Sequence, residues 1–368
     1  MGASLCCALL PLWSCSAMNS DIADPVKAQT AETIQSRSGF GPALKTNPGL
    51  LAAQGRKAPI IDDDMDLEPE LSSLPLTPGQ TGTLLEPEVT DLPTTQVLTL
   101  TPEQRRILSE KSGLDFDLDL FDSREVERYF AYYTGPARES FSRWLKRAEK
   151  HLPHVREALS RNGLPQDLAM LPFAESGYNC EAYSWAGAGG MWQFMPYTGR
   201  KYGLTVDWWV DERRDPRLAT EAAAKYLAFL NDMFGDWYLA LAAYNAGEGK
   251  ISRALEMTNA DDFLDLVSQN GRLNRRMRLK PETQHYVPKL QAVKNIVAEP
   301  ERYGIALPPI PNSPYFVAVQ KSRDIDVRTA ARLAEMSTEE FRALNPQFNR
   351  PVIVGAGAPT LLLPADRA

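Results

Sequence analysis

Residues 168–193 read L-A-M-L-P-F-A-E-S-G-Y-N-C-E-A-Y-S-W-A-G-A-G-G-M-W-Q, from Leu168 to Gln193. An apolar run with Leu168, Leu171 and Ala174 on one face ends in a single carboxylate, Glu175, so the spacing predicts a helix with an acid at its end. Gly187, Gly189 and Gly190 follow, and then Met191, Trp192, Gln193 and Phe194. Glycines permit positive φ and close backbone approach, as a loop lining a cleft needs. Thioether, ring faces and amide side by side suit the flat apolar faces and the hydroxyl or acetamide groups of a sugar. A glutamate at the end of an apolar helix can act as a general acid near neutral pH, because desolvation disfavours its charged form. Most glutamates at helix ends are solvated, so the carboxylate alone decides nothing.

Outward from this stretch the chain divides sharply. From Gly41 to Asp115 there is no Phe, Tyr or Trp, whereas six of the seven Trp fall between Trp144 and Trp237. Residues 1–100 hold five Lys/Arg against twelve Asp/Glu, the same excess of seven acids as the whole 368-residue chain. The remainder is close to neutral, which argues against a nucleic-acid binder, since phosphate neutralisation needs a basic stripe. The short basic run Arg272 to Lys280 reads as a solvated loop. The three histidines (His151, His154, His285) and Cys180 show no zinc-ligand spacing, so neither metal nor other cofactor is expected.

At the N-terminus, Leu5 to Ala17 has signal-peptide length and is too short to span a bilayer. Leu12-Trp13-Ser14-Cys15 resembles a lipoprotein cleavage site that would make Cys15 the lipidated first residue, although no Lys or Arg precedes Lys27. Residues 19–100, rich in Pro, Thr and acids, cannot bury enough apolar area to offset chain entropy and read as a disordered tether.

Order is expected from Thr101-Pro102-Glu103-Gln104, a capping box with Pro at the first helical position. Val126, Tyr129, Phe130 and Tyr133 predict a helix that Thr134-Gly135-Pro136 ends. Helices are predicted over Ala137 to Leu152 and Val155 to Arg161. Leu164-Pro165 should open the next, and another should be capped by Asp215-Pro216 with Leu218, Ala222, Tyr226, Phe229 and Met233 buried. Trp237 to Asn245 and Pro281 to Ala298 complete the set. No strand pattern occurs between 116 and 300, so this domain is expected to be all-α. Residues 308–314 read as a linker. The last fifty residues read β-α-α-β: Tyr315 to Val319, Val327 to Met336, a helix opened by the Ser337/Glu340 capping box and ended by Asn345-Pro346, then Thr360 to Leu363.

Four motifs, E-S-G-Y-N, G-A-G-G-M-W-Q-F-M-P-Y-T-G, A-A-Y-N-A-G-E-G and E-T-Q-H-Y-V-P-K-L, stand in the order and spacing of the soluble-lytic-transglycosylase-like, goose-lysozyme-like enzymes, which residues 110–300 resemble. The resemblance implies a lysozyme-like fold and cleavage of the β-1,4 bond between N-acetylmuramic acid and N-acetylglucosamine in peptidoglycan, leaving 1,6-anhydro ends. By motif it makes Glu175 the catalytic acid/base. Ser176, Met191, Gln193, Tyr244, Asn245 and Tyr286 match cleft positions, for sugar binding and for holding Glu175. Cys180 stands where many relatives carry Pro or a small polar residue, and reads as a passive free thiol.

Leu333 to Pro346 resembles the second half of LysM-type glycan-binding repeats. The usual Gly-Asp of the first strand is replaced by Val319-Gln320-Lys321-Ser322-Arg323, so a glycan binder and a degenerate structural cap both fit.

The domains read as a signal-like segment (1–18), a tether (19–100), a lytic transglycosylase domain (101–307), a linker (308–314) and a LysM-like module (315–368). The whole is expected to be an exported, periplasmic, lipid-anchored monomer of a Gram-negative outer membrane. Its partners would be peptidoglycan glycan strands and the membrane, with no nucleic acid. A hydrolytic muramidase and a non-catalytic wall-binding protein are the alternatives.

Overall fold

The computed structural model describes residues 96–98, 106, 118, 120–306, 314–356 and 359–367. The Thr101 capping box, Cys15, the signal-like segment and most of the tether lie outside these residues.

A helical body and a small α+β module make up the described chain. The body opens with a two-stranded antiparallel pair, β1 (Gln96–Leu98) and β2 (Leu120–Asp122). Helix α1 (Arg124–Thr134) follows, N-capped by the Ser123 hydroxyl, which accepts from the Val126 N–H at 3.2 Å, and stopped at Gly135. Tyr129 and Tyr133 are buried along it, with Phe130 packed against the same core as the sequence spacing predicts.

Next comes one long helix, α2 (Arg138–Arg161), where two were expected. Pro153 sits inside it. A proline removes one helical hydrogen bond and crowds the preceding turn, but Val155, Ala158 and Leu159 beyond it are fully buried and hold the helix in one piece. Leu164-Pro165 leads first into a 3-10 turn, Gln166–Met170, and only then into the short α3 (Leu171–Ser176).

A short helix, α4 (Pro196–Lys201), precedes α5 (Pro216–Phe234). Asp215 caps α5 as expected, its carboxylate accepting from the N–H groups of Arg217 (2.9 Å) and Leu218 (3.0 Å). The buried face differs from the expected one: Phe229 and Met233 are exposed, and Ala219, Ala222, Ala223, Tyr226, Leu227 and Leu230 are buried. The small side chains decided the face, because alanines let α5 approach α6 (Trp237–Ala246) closely. Two helices that the sequence reading missed follow, α7 (Glu248–Thr258) and α8 (Phe263–Ser268). In the basic run, Leu273 and Leu279 are buried anchors, and Arg278 donates to the carbonyls of Leu273 (3.1 Å) and Gly271 (3.2 Å).

Helix α9 (Pro281–Ala298) is the central post of the body, packed against α1, α3 and α6. Val287, Leu290, Val293, Ile296 and Val297 are buried on it, each contributing about 1.5–3 kcal/mol by burial. Lys294 is buried too, ion-paired with Asp167 and donating to the Leu118 carbonyl at 2.7 Å. The body is not purely helical: besides β1–β2, single bridges join Tyr183 to Gly189 and Gly189 to Phe194. These contacts lie in a glycine-rich loop without strand alternation, so the sequence pattern could not announce them.

The module has the expected β-α-α-β order. β3 (Phe316–Gln320) pairs antiparallel with β6 (Thr360–Pro364), in the register Ala318 to Leu362. Between them lie α10 (Val327–Leu333) and α11 (Thr338–Leu344), flanked by a small unforeseen pair, β4 (Ile325–Asp326) and β5 (Val352–Ile353). The Ser337/Glu340 capping box is present. Asn345 does more than end α11: its amide donates to the Leu362 carbonyl (2.8 Å) and accepts the Leu362 N–H (2.7 Å), tying helix to strand.

Candidate active site

Glu175 occupies the last turn of α3. The helix stops two residues later at Gly177, whose φ of 57° is left-handed. Glycine is required there twice over, since a Cβ would also lie 2.4 Å from the Trp144 ring. Ser176 is buried beneath, donating to the Met191 carbonyl at 2.9 Å and accepting from the Asn179 N–H at 3.1 Å. The E-S-G sequence thus fixes where the helix ends, which way Glu175 faces, and how the glycine-rich loop joins it.

The Glu175 carboxylate faces a cleft of about 710 Å³. Tyr183, Trp185, Gln193, Phe194 and Met195 line it from the segment after α3, and Tyr244, Asn245, Glu248, Lys280, Glu282 and Tyr286 from α6 onward. Trp185 is almost fully exposed at 96%, an open aromatic face at the rim. Ser176 and Met191 are not in the lining. Both are buried, and they brace the wall from behind. Of the seven cleft residues named from sequence, the structure therefore brings five to the cavity: Glu175, Gln193, Tyr244, Asn245 and Tyr286.

Two tyrosines organise the acid. The Tyr286 hydroxyl donates to Oε1 of Glu175. Tyr244 donates to the Trp192 carbonyl at 2.8 Å, holding the loop over the cleft. Burial, and then the charge of Glu175, push both phenols well above their usual range, so they remain protonated donors. Asn245 accepts from the Thr283 hydroxyl at 2.7 Å and donates toward Glu282 at 3.4 Å, which places its amide at the cleft wall from the end of α6.

Burial raises the Glu175 carboxyl to about 7. The Tyr286 bond opposes this, nearby Glu282 adds to it and Lys289 works against it. Glu248, in the same cleft, goes the other way: burial would raise it, but its own backbone, Tyr226 (2.9 Å) and Lys201 (3.4 Å) hold it below the ordinary carboxylate range. One carboxyl able to donate a proton near neutrality thus stands with another held ionised, a pattern that separates acid from non-acid roles.

The loop carrying Gln193 is pinned by a pair that sequence reasoning missed. Arg213 and Asp211 are both buried, paired through Nε–Oδ1 (2.9 Å) and Nη2–Oδ2 (2.7 Å). Nη1 of Arg213 donates to the carbonyls of Gly187 (2.7 Å) and Phe194 (2.9 Å). Tyr183 donates to the same Asp211 carboxylate. Nothing in the spacing of Asp211 and Arg213 announced the pair. Cys180 lies outside the cleft lining, buried 3.6 Å from Nε2 of His151, and burial pushes its thiol up to about 12.

Among the described residues no helix is long and apolar enough to cross a membrane, and no group of three or more His, Cys, Asp or Glu is placed to hold a metal ion.

Residues 154–266 match the family described as Transglycosylase SLT domain, and residues 315–368 match the Lytic transglycosylase MltD, LysM-like domain. Over 227 residues the chain is 33% identical to membrane-bound lytic murein transglycosylase D of Escherichia coli, covering 60% of this chain and 48% of that protein. Over 141 residues it is 35% identical to a protein of Alteromonas sp. whose name refers to tributyltin chloride resistance, covering 37% of this chain and 68% of that one. The crystal structure of lytic transglycosylase Slt from Pseudomonas aeruginosa is similar at 24% identity, over 40% of this chain and 24% of that one, with a TM-score of 0.33. The chain spans about half the length of the Escherichia coli relative.

Proposed function

Because the chain belongs to the lytic transglycosylases, with an SLT domain and an MltD-type LysM-like domain, we propose that it cleaves the β-1,4 bond between N-acetylmuramic acid and N-acetylglucosamine in peptidoglycan without consuming water. The observation that carries this reading is the Glu175 carboxyl at the cleft, raised to about 7 and held by Tyr286. Protonated Glu175 gives its proton to the glycosidic oxygen as the bond to C1 breaks. The resulting carboxylate takes the proton of the muramoyl C6 hydroxyl as that oxygen bonds to C1, and a 1,6-anhydro ring closes. Gln193, Tyr244 and Asn245 supply hydrogen bonds for sugar groups, and the exposed Trp185 face supplies stacking. Ser176 and Met191 serve the site from behind the wall.

A hydrolytic reading keeps one specific support, the presence of Glu248 and Glu282 in the same lining, either of which could activate water. Digestion of purified sacculi with the wild type and with Glu175→Gln, followed by mass spectrometry, decides between them. Anhydro-ended products lost in the variant support the lyase. Products one water heavier would establish a hydrolase, and equal products from both proteins would remove Glu175 from the chemistry.

The domain limits proposed are 1–18 for an export and lipidation segment ending near Cys15, 19–100 for a tether, 101–307 for the catalytic domain, 308–314 for a linker and 315–368 for the module. Work in the periplasm on glycan strands as an anchored monomer belongs to this proposal, and the similarity to relatives named as membrane-bound supports its envelope location. A Cys15→Ala protein that still partitions with membranes would refute the anchor.

A further inference from the structure

The C-terminal module meets the catalytic body at Arg217, through Thr360, and at His151 and His154, through Phe316, and it grips one hairpin of the body with several bonds. A tight hairpin at residues 206–211 is closed by a Val206–Asp211 bridge and by the Asp207 N–H donating to the Val210 carbonyl at 2.8 Å. Its tip carries Trp208 and Trp209. From the module, the Asn349 N–H donates to the Trp209 carbonyl (2.9 Å) and the Asn349 amide to the Asp207 carbonyl (3.2 Å). Nε of Arg350 donates to the Trp208 carbonyl (3.2 Å), with its guanidinium carbon 3.2 Å from the centre of the Trp208 ring. Phe348 bridges to Val210, and the Asp211 N–H donates to the Gln347 carbonyl at 2.8 Å.

Asp211 is therefore held by the module through its main chain, while its side chain holds Arg213. Arg213 in turn binds the carbonyls of Gly187 and Phe194, the two ends of the loop that forms one wall of the cleft. The chain of bonds runs from module backbone to Asp211, to Arg213, to the wall. A planar guanidinium can make the bidentate pair and reach both carbonyls at once, which a lysine ammonium cannot. Gly190 lies so close that a Cβ there would sit 1.7 Å from the Arg213 carbonyl oxygen, so wall and pin have no slack between them.

We propose that the module is a working part of the cleft. By gripping the hairpin it sets Arg213, and Arg213, as a positioning residue, sets the Gly187–Phe194 wall against which the glycan lies. This rests on the functional reading above. It requires the module to matter for glycans too short to touch it.

The test uses the full chain and a soluble tetrasaccharide of alternating N-acetylglucosamine and N-acetylmuramic acid, with kcat and KM measured separately. Three variants are compared: Arg213→Lys, the surface pair Asn349→Ala with Arg350→Ala, and all three substitutions together. Arg213→Lys is expected to raise KM about tenfold and leave the pH profile of kcat in place, since Glu175 is untouched. The surface pair is expected to raise KM severalfold, and the combination to be no worse than Arg213→Lys alone, because both act on one linkage. Effects that multiply would overturn the proposal. So would a surface pair that slows digestion of sacculi but leaves the tetrasaccharide KM unchanged, which is the behaviour of a mere tether. If Arg213→Lys does not fold, as judged by circular dichroism, the surface pair decides alone. A wild type that turns over sacculi but not the tetrasaccharide also defeats the proposal and spares the functional reading, whereas one that turns over neither defeats both.

Discussion

Tyr286, on α9, donates its hydroxyl to Glu175, on α3, across 111 residues of sequence. The bond favours the ionised carboxylate, so it opposes the burial that raises the acid to about 7. Tyr286→Phe should therefore move the acid higher still. The alkaline limb of the rate profile on a soluble glycan is expected to shift up by about one unit. A limb that stays in place or moves down would show that the hydroxyl does not tune this proton.

Glu175→Gln should lose about three orders of magnitude in rate and, above neutral pH, gain stability. The folded acid titrates at about 7, above its ordinary value of 4.5. The unfolded chain therefore binds fewer protons between these values, and wild-type stability falls as pH rises through that window. Glutamine carries no charge to desolvate. Urea unfolding is expected to show the variant about 3 kcal/mol more stable at pH 8, with the advantage gone at pH 4.

Two glycines of one loop should respond very differently to alanine. At Gly190, φ is 78° and a Cβ would lie 1.7 Å from the Arg213 carbonyl oxygen, so backbone must move. A loss above ~3 kcal/mol is expected, along with a raised KM. At Gly187, φ is 88° but no atom lies within 4 Å of the added Cβ, and only the conformational cost of about 1 kcal/mol remains. Thermal unfolding of the two variants side by side checks the contrast.

His151 gives a stability slope of the opposite sign to Glu175. Burial, with Lys150 and His154 nearby, lowers the ring from 6.5 to about 4. The unfolded chain takes up the proton first, so stability is lost as pH falls from about 6.5 to 4, by about 3 kcal/mol in all. Glu175 and Asp215, both raised, slope the other way in overlapping ranges. The quantity to measure is thus the difference between wild type and His151→Phe in urea midpoints across pH 4 to 7. A difference that does not grow toward low pH would refute the assignment.

Local chemistry was legible wherever one residue type settles one backbone event. Asp215-Pro216 and Ser337 with Glu340 each did so, and their elements stand where the sequence put them. Pro153 misled because its effect is local whereas the burial of Val155 and Leu159 is not. Phe229 and Met233 misled because size was taken for burial, when alanines made the closer face. Among the candidate site residues, the motifs gave the cleft side of Glu175, Gln193, Tyr244, Asn245 and Tyr286. Ser176 and Met191 share motifs with cleft residues but are buried away from the cavity, Ser176 one residue of helix rotation from Glu175 and Met191 in a turn of the glycine-rich loop. Arg213 had no sequence signal, since its partners Gly187 and Phe194 offer backbone carbonyls, which every residue possesses.

Cys180 lies against His151, shut from solvent, with its thiol pushed up to about 12. A thiol reagent can reach it only when the seam between α2 and the segment after α3 comes apart. With Cys6, Cys7 and Cys15 replaced, the rate of Cys180 modification becomes a clock for that opening, built into the chain beside the acid. Read with and without glycan in the cleft, it would time how often the protein loosens around the helix that carries Glu175.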